Sequence, residues 1–580
     1  MPALDTSFVP ADLDATSWEN IEPMFTMLLE RPVESPAAVE RWLIDRSELE
    51  AACREAEANL YISMTCDTDD AAAAGAFTRF IEEVSPKIKP AAFELDKREA
   101  ELFARFPMPR DRYRVLERGT RTAVELFREE NVPLQTELEK LTQKYQTVTG
   151  AMTVQFDGRE QTMPQMAKYQ ESTDRSIREA AWRASASRRL VDKDAIDEIY
   201  DEQIALRQKV AENAGFKDYV GYAFKSMLRF DYGPADCFAF HEAVEQAVVP
   251  FNQRRLAERR RDLAVQSLRP WDLAVDPKGR APLRPFEGGR ELMSKAVAAF
   301  GRLDPRLAGM LRSLGEGSEA RGSRGGACLD LDSRKGKAPG GYQYMRDRIR
   351  TPFIFMNAAG LHRDVETMVH EAGHAFHSQL CRDEPLVAYR HAPIEFCEVA
   401  SMSMELLTMR HWGGPDGYYP DPADHARAMR KQLEGSVSLL SWIATIDAFQ
   451  HWVYSNPGHT REQRVTYWLE LDRRFGAGVD WSGLDDEHGW LWQRQPHLWG
   501  HPFYYIEYGI AQLGALQLWL TSLERGERDA IDAYERAMKL GGSRPLPELF
   551  GAAGLDFEFG PATVSRLVSR VEGELARLPQ

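Results

Sequence analysis

The sequence predicts a mainly α-helical fold with one small β-sheet. Long segments rich in Ala, Glu and Leu repeat apolar residues at helical spacing near the start of the chain, and similar patterns fill its last part. Strand-like pieces are short and gather in the middle of the chain. At 580 residues the chain is long enough for more than one domain. We predict a helical N-terminal region, residues 1–200, and a second domain, residues 201–580.

The first region is predicted to consist of helices separated by prolines. Helical spacing of apolar residues covers 38–60, 71–103 and 120–145. The segment Val154–Gln161 contains Asp-Gly between strand-like flanks, which is the signal of a tight β-hairpin. A further helix is predicted for 175–214.

The middle of the chain is predicted to hold the sheet. Residues 269–289 are rich in Pro and Gly and indicate a loop. Three apolar pieces follow, at 327–331, 342–345 and 352–356, and they are predicted to form one small sheet. Residues 513–578 again show helical patterns.

Composition excludes several classes of partner. The net charge of −16 argues against nucleic acid and anionic membranes as principal partners. No apolar run reaches the roughly 18 residues that span a bilayer, and residues 1–5 lack the pattern of a signal peptide. The six cysteines have neither metal nor disulfide spacing. We therefore expect a cytoplasmic protein with no obligate protein partner.

The most informative motif is H-E-x-x-H, formed by His370, Glu371 and His374. Apolar residues at helical spacing predict a helix over 365–380. Residues four apart lie one turn above each other, so the two imidazoles can share one zinc ion. Glu371 lies one position round the helix, where its carboxylate can reach a water molecule. With 13 histidines in the chain, a chance match is uncommon.

Two histidines leave the site one ligand short. The long metalloprotease pattern needs Gly at 377 and His at 380, where this chain has His377 and Leu380, so that class is excluded. A carboxylate from a second helix is the alternative. The helix predicted for 393–407 carries three acids on one face, and spacing alone does not choose among Glu395, Glu398 and Glu405.

A family resemblance adds to this pattern. The segments His370–His377 (H-E-A-G-H-A-F-H) and Glu398–Ser401 (E-V-A-S), followed by Glu405, resemble the thimet oligopeptidase and oligoendopeptidase F family of zinc peptidases. Similarity in motif and order runs from about Asn213 to Gln512. The resemblance implies a gluzincin-type zincin with a deep substrate channel. Residues 1–200 would form part of the channel wall, and residues 201–580 would form the catalytic domain.

The resemblance also implies the metal ligands. It assigns one Zn²⁺ per chain to His370, His374 and Glu398, because the third ligand of the family heads the E-x-x-S segment. Glu405 becomes a candidate for a carboxylate that orients a zinc-binding histidine.

Two further segments are predicted to contact a substrate. The loop 335–342 (K-G-K-A-P-G-G-Y) fails the P-loop order. In the related peptidases a Gly-rich loop here covers the substrate, which implies substrate-binding roles for Gly340, Gly341 and Tyr342. Exposed glycine backbone suits an extended peptide, and we predict that this loop is flexible.

The second segment, 490–508, is unusually aromatic. It resembles the family segment H-x-x-x-x-x-F-Y-Y-x-x-Y, which lies across the cleft from zinc. His497, Tyr505 and Tyr508 match positions that contact the substrate carbonyl. His501 falls where the thimet branch has Tyr, and we include it among the substrate-binding candidates.

These residues imply a zinc-dependent endopeptidase that acts on oligopeptides. Glu371 would serve as general base, and Tyr508, with Tyr505 or His497, would donate to the developing oxyanion. Two alternatives stay open. One is a zinc carboxypeptidase or dipeptidyl carboxypeptidase on a similar helical fold, and the other is an inactive peptide-binding protein. Retention of Glu371 argues against the inactive protein, because binding alone needs no general base.

Overall fold

The structure is a computed structural model that describes residues 8–319, 327–334, 336–338 and 340–579. Within these residues, helices far outnumber strands, and the strands form one hairpin and one sheet of three. The prediction of a mainly α-helical fold with a small sheet is confirmed.

The helices fall into three groups along the chain. Those before the hairpin are α1 (Trp18–Glu30), α2 (Pro36–Cys66), α3 (Ala71–Arg79), α4 (Ser85–Arg105), α5 (Arg110–Leu126) and α6 (Asn131–Gly150). Those between the hairpin and the sheet are α7 (Met163–Gln170), α8 (Arg175–Val191), α9 (Lys193–Asn213), α10 (Tyr219–Ser226), α11 (Pro234–Ala243), α12 (Val249–Asp262), α13 (Gly288–Leu303) and α14 (Pro305–Arg312). Those after the sheet are α15 (His362–Leu380), α16 (Val387–Arg390), α17 (Ile394–Thr408), α18 (Pro422–Ser455), α19 (Arg461–Phe475), α20 (Asp485–Gly489), α21 (His497–Gly500), α22 (Tyr505–Arg525), α23 (Glu527–Met538), α24 (Leu546–Ala552) and α25 (Pro561–Arg577).

The predicted hairpin is confirmed. It pairs β1 (Thr153–Phe156) with antiparallel β2 (Arg159–Thr162). The two turn residues, Asp157 and Gly158, have φ values of 54° and 72°. Positive φ at both positions is the requirement of the hairpin turn that Asp-Gly favours.

Two predicted helices are interrupted. The helical pattern over 120–145 breaks after α5, where Phe127 is extended and stacks on Phe93 with ring centroids 3.7 Å apart. Pro133 would break a helix interior but is tolerated in the first turn, and α6 begins two residues before it. The predicted helix 175–214 is interrupted at Asp192 (φ −100°, ψ 6°). Apolar periodicity alone does not reveal such breaks.

The predicted three-stranded sheet is present and leads into the helix of the H-E-x-x-H motif. Its strands are β3 (Leu329–Asp332), β4 (Tyr342–Arg346) and β5 (Thr351–Ala358), with β5 in the centre, parallel to β3 and antiparallel to β4. Most of β5 is buried, and α15 follows it after a short turn. The Asp364 carboxylate accepts the N–H groups of Ala359 and Leu361, which closes this turn. The sheet therefore fixes where the motif helix starts.

Two large apolar cores divide the described residues. One contains buried residues from Leu141 to Leu575 and surrounds α15, α17, α18 and α22. The other contains residues of α1, α2, α4 and α5 and is joined by Leu386 and Tyr389, next to and within α16. The proposed division at residue 200 stays a prediction, and buried residues on both sides of that position belong to the first core.

Candidate metal centre

His370, His374 and Glu398 converge at the crossing of α15 and α17. The Oε2 atom of Glu398 lies 3.4 Å from His370 Nε2 and 3.6 Å from His374 Nε2. Two ligand atoms that bind one zinc ion at about 2.0–2.1 Å in tetrahedral geometry are roughly 3.3–3.4 Å apart. Two imidazoles and a carboxylate are also a donor set that zinc accepts. The three side chains therefore fit a zinc ion.

Close helix packing brings Glu398 to the histidines. A Cβ atom on Gly373 would lie 2.5 Å from Ser401 Cα and 2.6 Å from the Ala400 carbonyl oxygen. Such distances are possible only because Gly373 has no side chain, so the two helix backbones touch at this point. The Tyr534 hydroxyl donates to the carbonyls of Gly373 and Ala400 and bridges the same crossing.

Hydrogen bonds orient the ligand side chains. The Nδ1 atom of His370 lies 2.7 Å from Glu405 Oε1, and Gln432 donates to the other oxygen of that carboxylate at 3.0 Å. With Nδ1 held in this way, Nε2 of His370 faces Glu398. The Ser401 hydroxyl donates to Glu398 Oε2 at 2.9 Å. A carboxylate that holds the second nitrogen of a ligating histidine is a common feature of zinc sites, and the orienting role of Glu405 stays a prediction.

Electrostatics separate the two carboxylates of the site. Burial raises the pKa of Glu371 to about 7, with Glu398 and Glu405 adding to the effect and His370 opposing it. Although burial acts in the opposite direction, His374, His370 and Ser401 lower the pKa of Glu398 to about 2. Glu398 is thus held as an anion. The pKa of Glu371 is close to that of an effective general base at neutral pH, and a nearby cation would lower it again.

Glu395 lies in a different environment. Its Oε1 atom accepts a hydrogen bond from the Tyr232 hydroxyl at 2.7 Å and lies 3.9 Å from Arg229 Nε. Arg229 also pairs with Glu507 at 2.7 Å. Glu395 is therefore part of a buried ion-pair cluster, and Glu398 is the acid that meets the two histidines.

An aromatic wall formed by His497, Tyr504 and Tyr508 faces Glu398. The Tyr504 hydroxyl donates to Glu398 Oε1 at 3.1 Å. The ring of Tyr508 lies 5.1 Å from that of Tyr504, and the His497 ring lies within 5.6 Å and 6.1 Å of these two rings. His501 is exposed, with its ring 6.1 Å from Tyr504.

Tyr505 has a different partner, and Tyr504 was missed by the sequence reasoning. The Tyr505 hydroxyl donates to Gln495 Oε1 at 3.0 Å, beside the contact between Gln495 and His497 Nδ1. Tyr504 and Tyr508 are four residues apart, whereas Tyr505 lies one position round the helix. This spacing could have identified Tyr504 in the sequence.

The Gly-rich loop 335–342 lies next to Glu371. A Cβ atom on Gly341 would lie 3.9 Å from Glu371 Oε1, and Gly340 has a φ of 100°. The ring of Tyr342 stacks on Phe355 with centroids 4.7 Å apart, and its hydroxyl lies 2.6 Å from the Thr65 hydroxyl.

The flexibility of the loop 335–342 stays a prediction, and the described residues of the loop make hydrogen bonds to the neighbouring sheet. The buried Lys337 ammonium donates to backbone oxygens and to Asp330, and Asn357 donates to the carbonyls of Ala338 and Gly340. Lys335 and Pro339 lie outside the described residues.

Comparisons with known proteins agree with this architecture. The model of peptidase family M3 matches residues 168–567, a wider range than the predicted resemblance. Oligopeptidase PepF of Bacillus subtilis is 26% identical over 319 residues, which cover 53% of this chain and 44% of the relative. A plasmid-encoded oligoendopeptidase F of Lactococcus lactis subsp. cremoris is 22% identical over 394 residues, covering 67% of this chain and 61% of the relative. The match therefore spans about half of the length of these curated relatives.

Solved structures share the fold over nearly the whole chain. The structure of PZ peptidase A with an inhibitor has a TM-score of 0.87 and 26% identity, and the match covers 98% of this chain and 99% of that one. An oligoendopeptidase F from Enterococcus faecium has a TM-score of 0.61 at 16% identity, covering 97% of both chains, and supports the fold alone.

The described helices include none with both the length and the apolar character needed to cross a bilayer. The family match covers more than half of the chain and includes the segment that brings His370, His374 and Glu398 together. This chain belongs to peptidase family M3.

Proposed function

We propose that the protein is a zinc-dependent endopeptidase that cleaves internal bonds of oligopeptides. The observation that carries the proposal is the convergence of His370, His374 and Glu398, with Glu371 beside them and the aromatic wall opposite. Membership of peptidase family M3 and the names of the relatives support a peptidase. Zinc dependence rests on the fit of the donor set.

His370, His374 and Glu398 would hold the metal. Zinc in such a site supplies Lewis-acid polarisation of the peptide carbonyl and lowers the pKa of water toward 7. Glu405 keeps His370 in the required tautomer through its 2.7 Å contact with Nδ1. Gln432 in turn holds Glu405.

Glu371 would move the proton. It accepts a proton from the attacking water and passes it to the leaving amine nitrogen, a function worth roughly 10²–10⁴-fold in rate. Burial raises the pKa of Glu371 to about 7, and a metal cation beside it would lower that pKa, so the carboxylate would be ionised and able to accept a proton at neutral pH. Glu371 lies off the ligand face, so its carboxylate is not needed by the metal.

The aromatic wall would stabilise the oxyanion. Burial raises the pKa of the Tyr508 hydroxyl, with Glu398 and Tyr505 adding to the effect, so the phenol stays protonated and able to donate. The Tyr504 hydroxyl is directed at Glu398, and Tyr508 lies next to it on the same wall. A donor that strengthens as negative charge develops increases turnover more than affinity.

We further propose a cytoplasmic location and a channel whose wall includes residues 1–200. None of the six cysteines, all of which lie in the described residues, forms a disulfide bond, which is typical of a reducing compartment.

The test combines metal removal with mapping of cleavage sites. Chelator treatment should abolish hydrolysis of a peptide mixture, and added zinc should restore it. Mass spectrometry should find cuts at internal bonds. Cuts confined to one or two residues from the C-terminus would instead support the carboxypeptidase alternatives. Full activity in protein free of transition metal would contradict the proposal.

A further inference from the structure

A second group of metal-ligating side chains lies between α11 and α18, outside the candidate metal centre. Cys237 and His241 are four residues apart on α11, and Asp447 and His451 are four residues apart on α18. Side chains at this spacing share one helix face, and the two helices pack against each other. All four residues are buried, with exposed fractions of 0%, 2%, 0% and 4%.

The geometry of this group resembles that of the candidate metal centre. Ligand atoms of Cys237, Asp447 and His451 all lie within 4.8 Å of one another. Nε2 of His451 lies 3.5 Å from Asp447 Oδ2, between the 3.4 Å and 3.6 Å found for the ligand pairs of the candidate metal centre. His241 Nε2 lies 2.9 Å from the same carboxylate oxygen, at hydrogen-bond distance.

Several polar atoms of the group lack a hydrogen-bond partner among the described residues. They are Oδ1 of Asp447 and both ring nitrogens of His451. The rings of Phe224, Phe238 and Phe503 lie within 5.8 Å of the His451 ring and give it an apolar surrounding. A buried polar group without a hydrogen-bond partner is unfavourable. Metal ligation would give a partner to one ring nitrogen of His451.

We propose that Cys237, Asp447 and His451 bind a second divalent transition metal, with His241 orienting the Asp447 carboxylate. A thiolate, an imidazole and a carboxylate together favour zinc, whereas Mg²⁺ and Ca²⁺ prefer oxygen ligands alone. On binding, the Cys237 S–H bond breaks, the sulfur donates its electron pair to the metal, and the proton leaves to solvent.

The position of the group suggests what a metal here would do. Gln450, next to His451, accepts the backbone N–H of Phe503 at 2.6 Å. Phe503 directly precedes Tyr504 of the aromatic wall and has a φ of 66°, in the left-handed region. A metal that ties α11 to α18 would therefore support this strained turn.

Cobalt substitution separates the two metal groups. A Co²⁺–thiolate bond gives a near-ultraviolet charge-transfer band, and the candidate metal centre contains no thiolate. Apo protein refilled with Co²⁺ should show this band and bind about two metal ions per chain, one for each group. Cys237→Ser should lose the band and one metal ion. Cys53→Ser, at another buried free cysteine, should keep both.

Further variants keep the inference independent of the proposed function. Glu398→Gln should lose the other metal ion yet keep the thiolate band, whether or not the protein is a peptidase. If Cys237→Ser does not fold, the spectrum of the wild-type protein decides. A wild-type protein with no thiolate band and at most one metal ion would overturn the inference. Loss of the band in Cys53→Ser, with the band retained in Cys237→Ser, would also overturn the inference.

Discussion

The Gly373→Ala substitution tests how the candidate metal centre is assembled. The added methyl group would lie 2.5 Å from Ser401 Cα and 2.6 Å from the Ala400 carbonyl oxygen, both backbone atoms that no rotamer change can move. To reach ordinary contact near 3.4 Å, the two helices must separate by about 0.9 Å, and overpacking of this kind typically costs about 1–3 kcal/mol of folding free energy.

The displacement matters more for the metal than for the fold. Glu398 lies one turn from the crossing, and metal–ligand distances tolerate only about ±0.2 Å. A shift of roughly 1 Å can also lower turnover by about 10²-fold. We expect Gly373→Ala to lose zinc at chelator concentrations that the wild-type protein withstands, and to unfold at lower urea.

The control is Gly435→Ala, at an exposed position within α18, where an added Cβ meets nothing within 4 Å. Replacing Gly by Ala inside a helix stabilises by about 0.5–1 kcal/mol, so this variant should change stability in the opposite direction. Zinc retention, urea unfolding and turnover are measured on both proteins. Wild-type zinc affinity and turnover in Gly373→Ala would refute the argument that backbone contact at Gly373 sets the position of Glu398.

Three further predictions concern single side chains. Glu398→Gln should strip zinc, whereas Glu395→Gln should keep it, because the Glu395 side chain pairs with a buried arginine and a tyrosine. Equal zinc loss in the two proteins would refute the assignment of Glu398 as the third ligand. Glu371→Gln should keep zinc and peptide binding but lower turnover by roughly 10²-fold or more, and near-normal turnover in the metallated protein would exclude a general base at this position. Tyr508→Phe should lower turnover on the order of 10²-fold with little change in KM, while Tyr505→Phe, whose hydroxyl donates to a glutamine, should have a smaller effect; a rise in KM alone would make Tyr508 a ground-state contact.

Local features of the molecule were predictable because their causes are local. The Asp157–Gly158 turn follows from the φ values that these residues tolerate. His370 and His374 lie on one face of their helix because of the helical repeat alone. The mainly helical fold and the central sheet follow from apolar periodicity. In the turn and in the helices the residues that interact are within a few positions of one another, whereas pairing in the sheet joins more distant residues such as Leu329 and Ile354.

The remaining features depended on contacts between distant segments. Three acids share one face of α17, and the close packing of α15 on α17 at Gly373 brings Glu398 to the histidines, while Glu395 meets Arg229. The role of Tyr504 depends on where α22 lies against α17.

Cys237 and Asp447 carry no shared signal in the sequence, because each helix supplies only half of the group. Cysteine spacing alone indicated no metal site. Two i, i+4 pairs become one cluster only when α11 packs on α18, and both helices contribute buried residues to the same apolar core. Sequence by itself thus determined the chemistry available on each helix. The tertiary structure decided which side chains meet, since non-local packing sets the distances between helices.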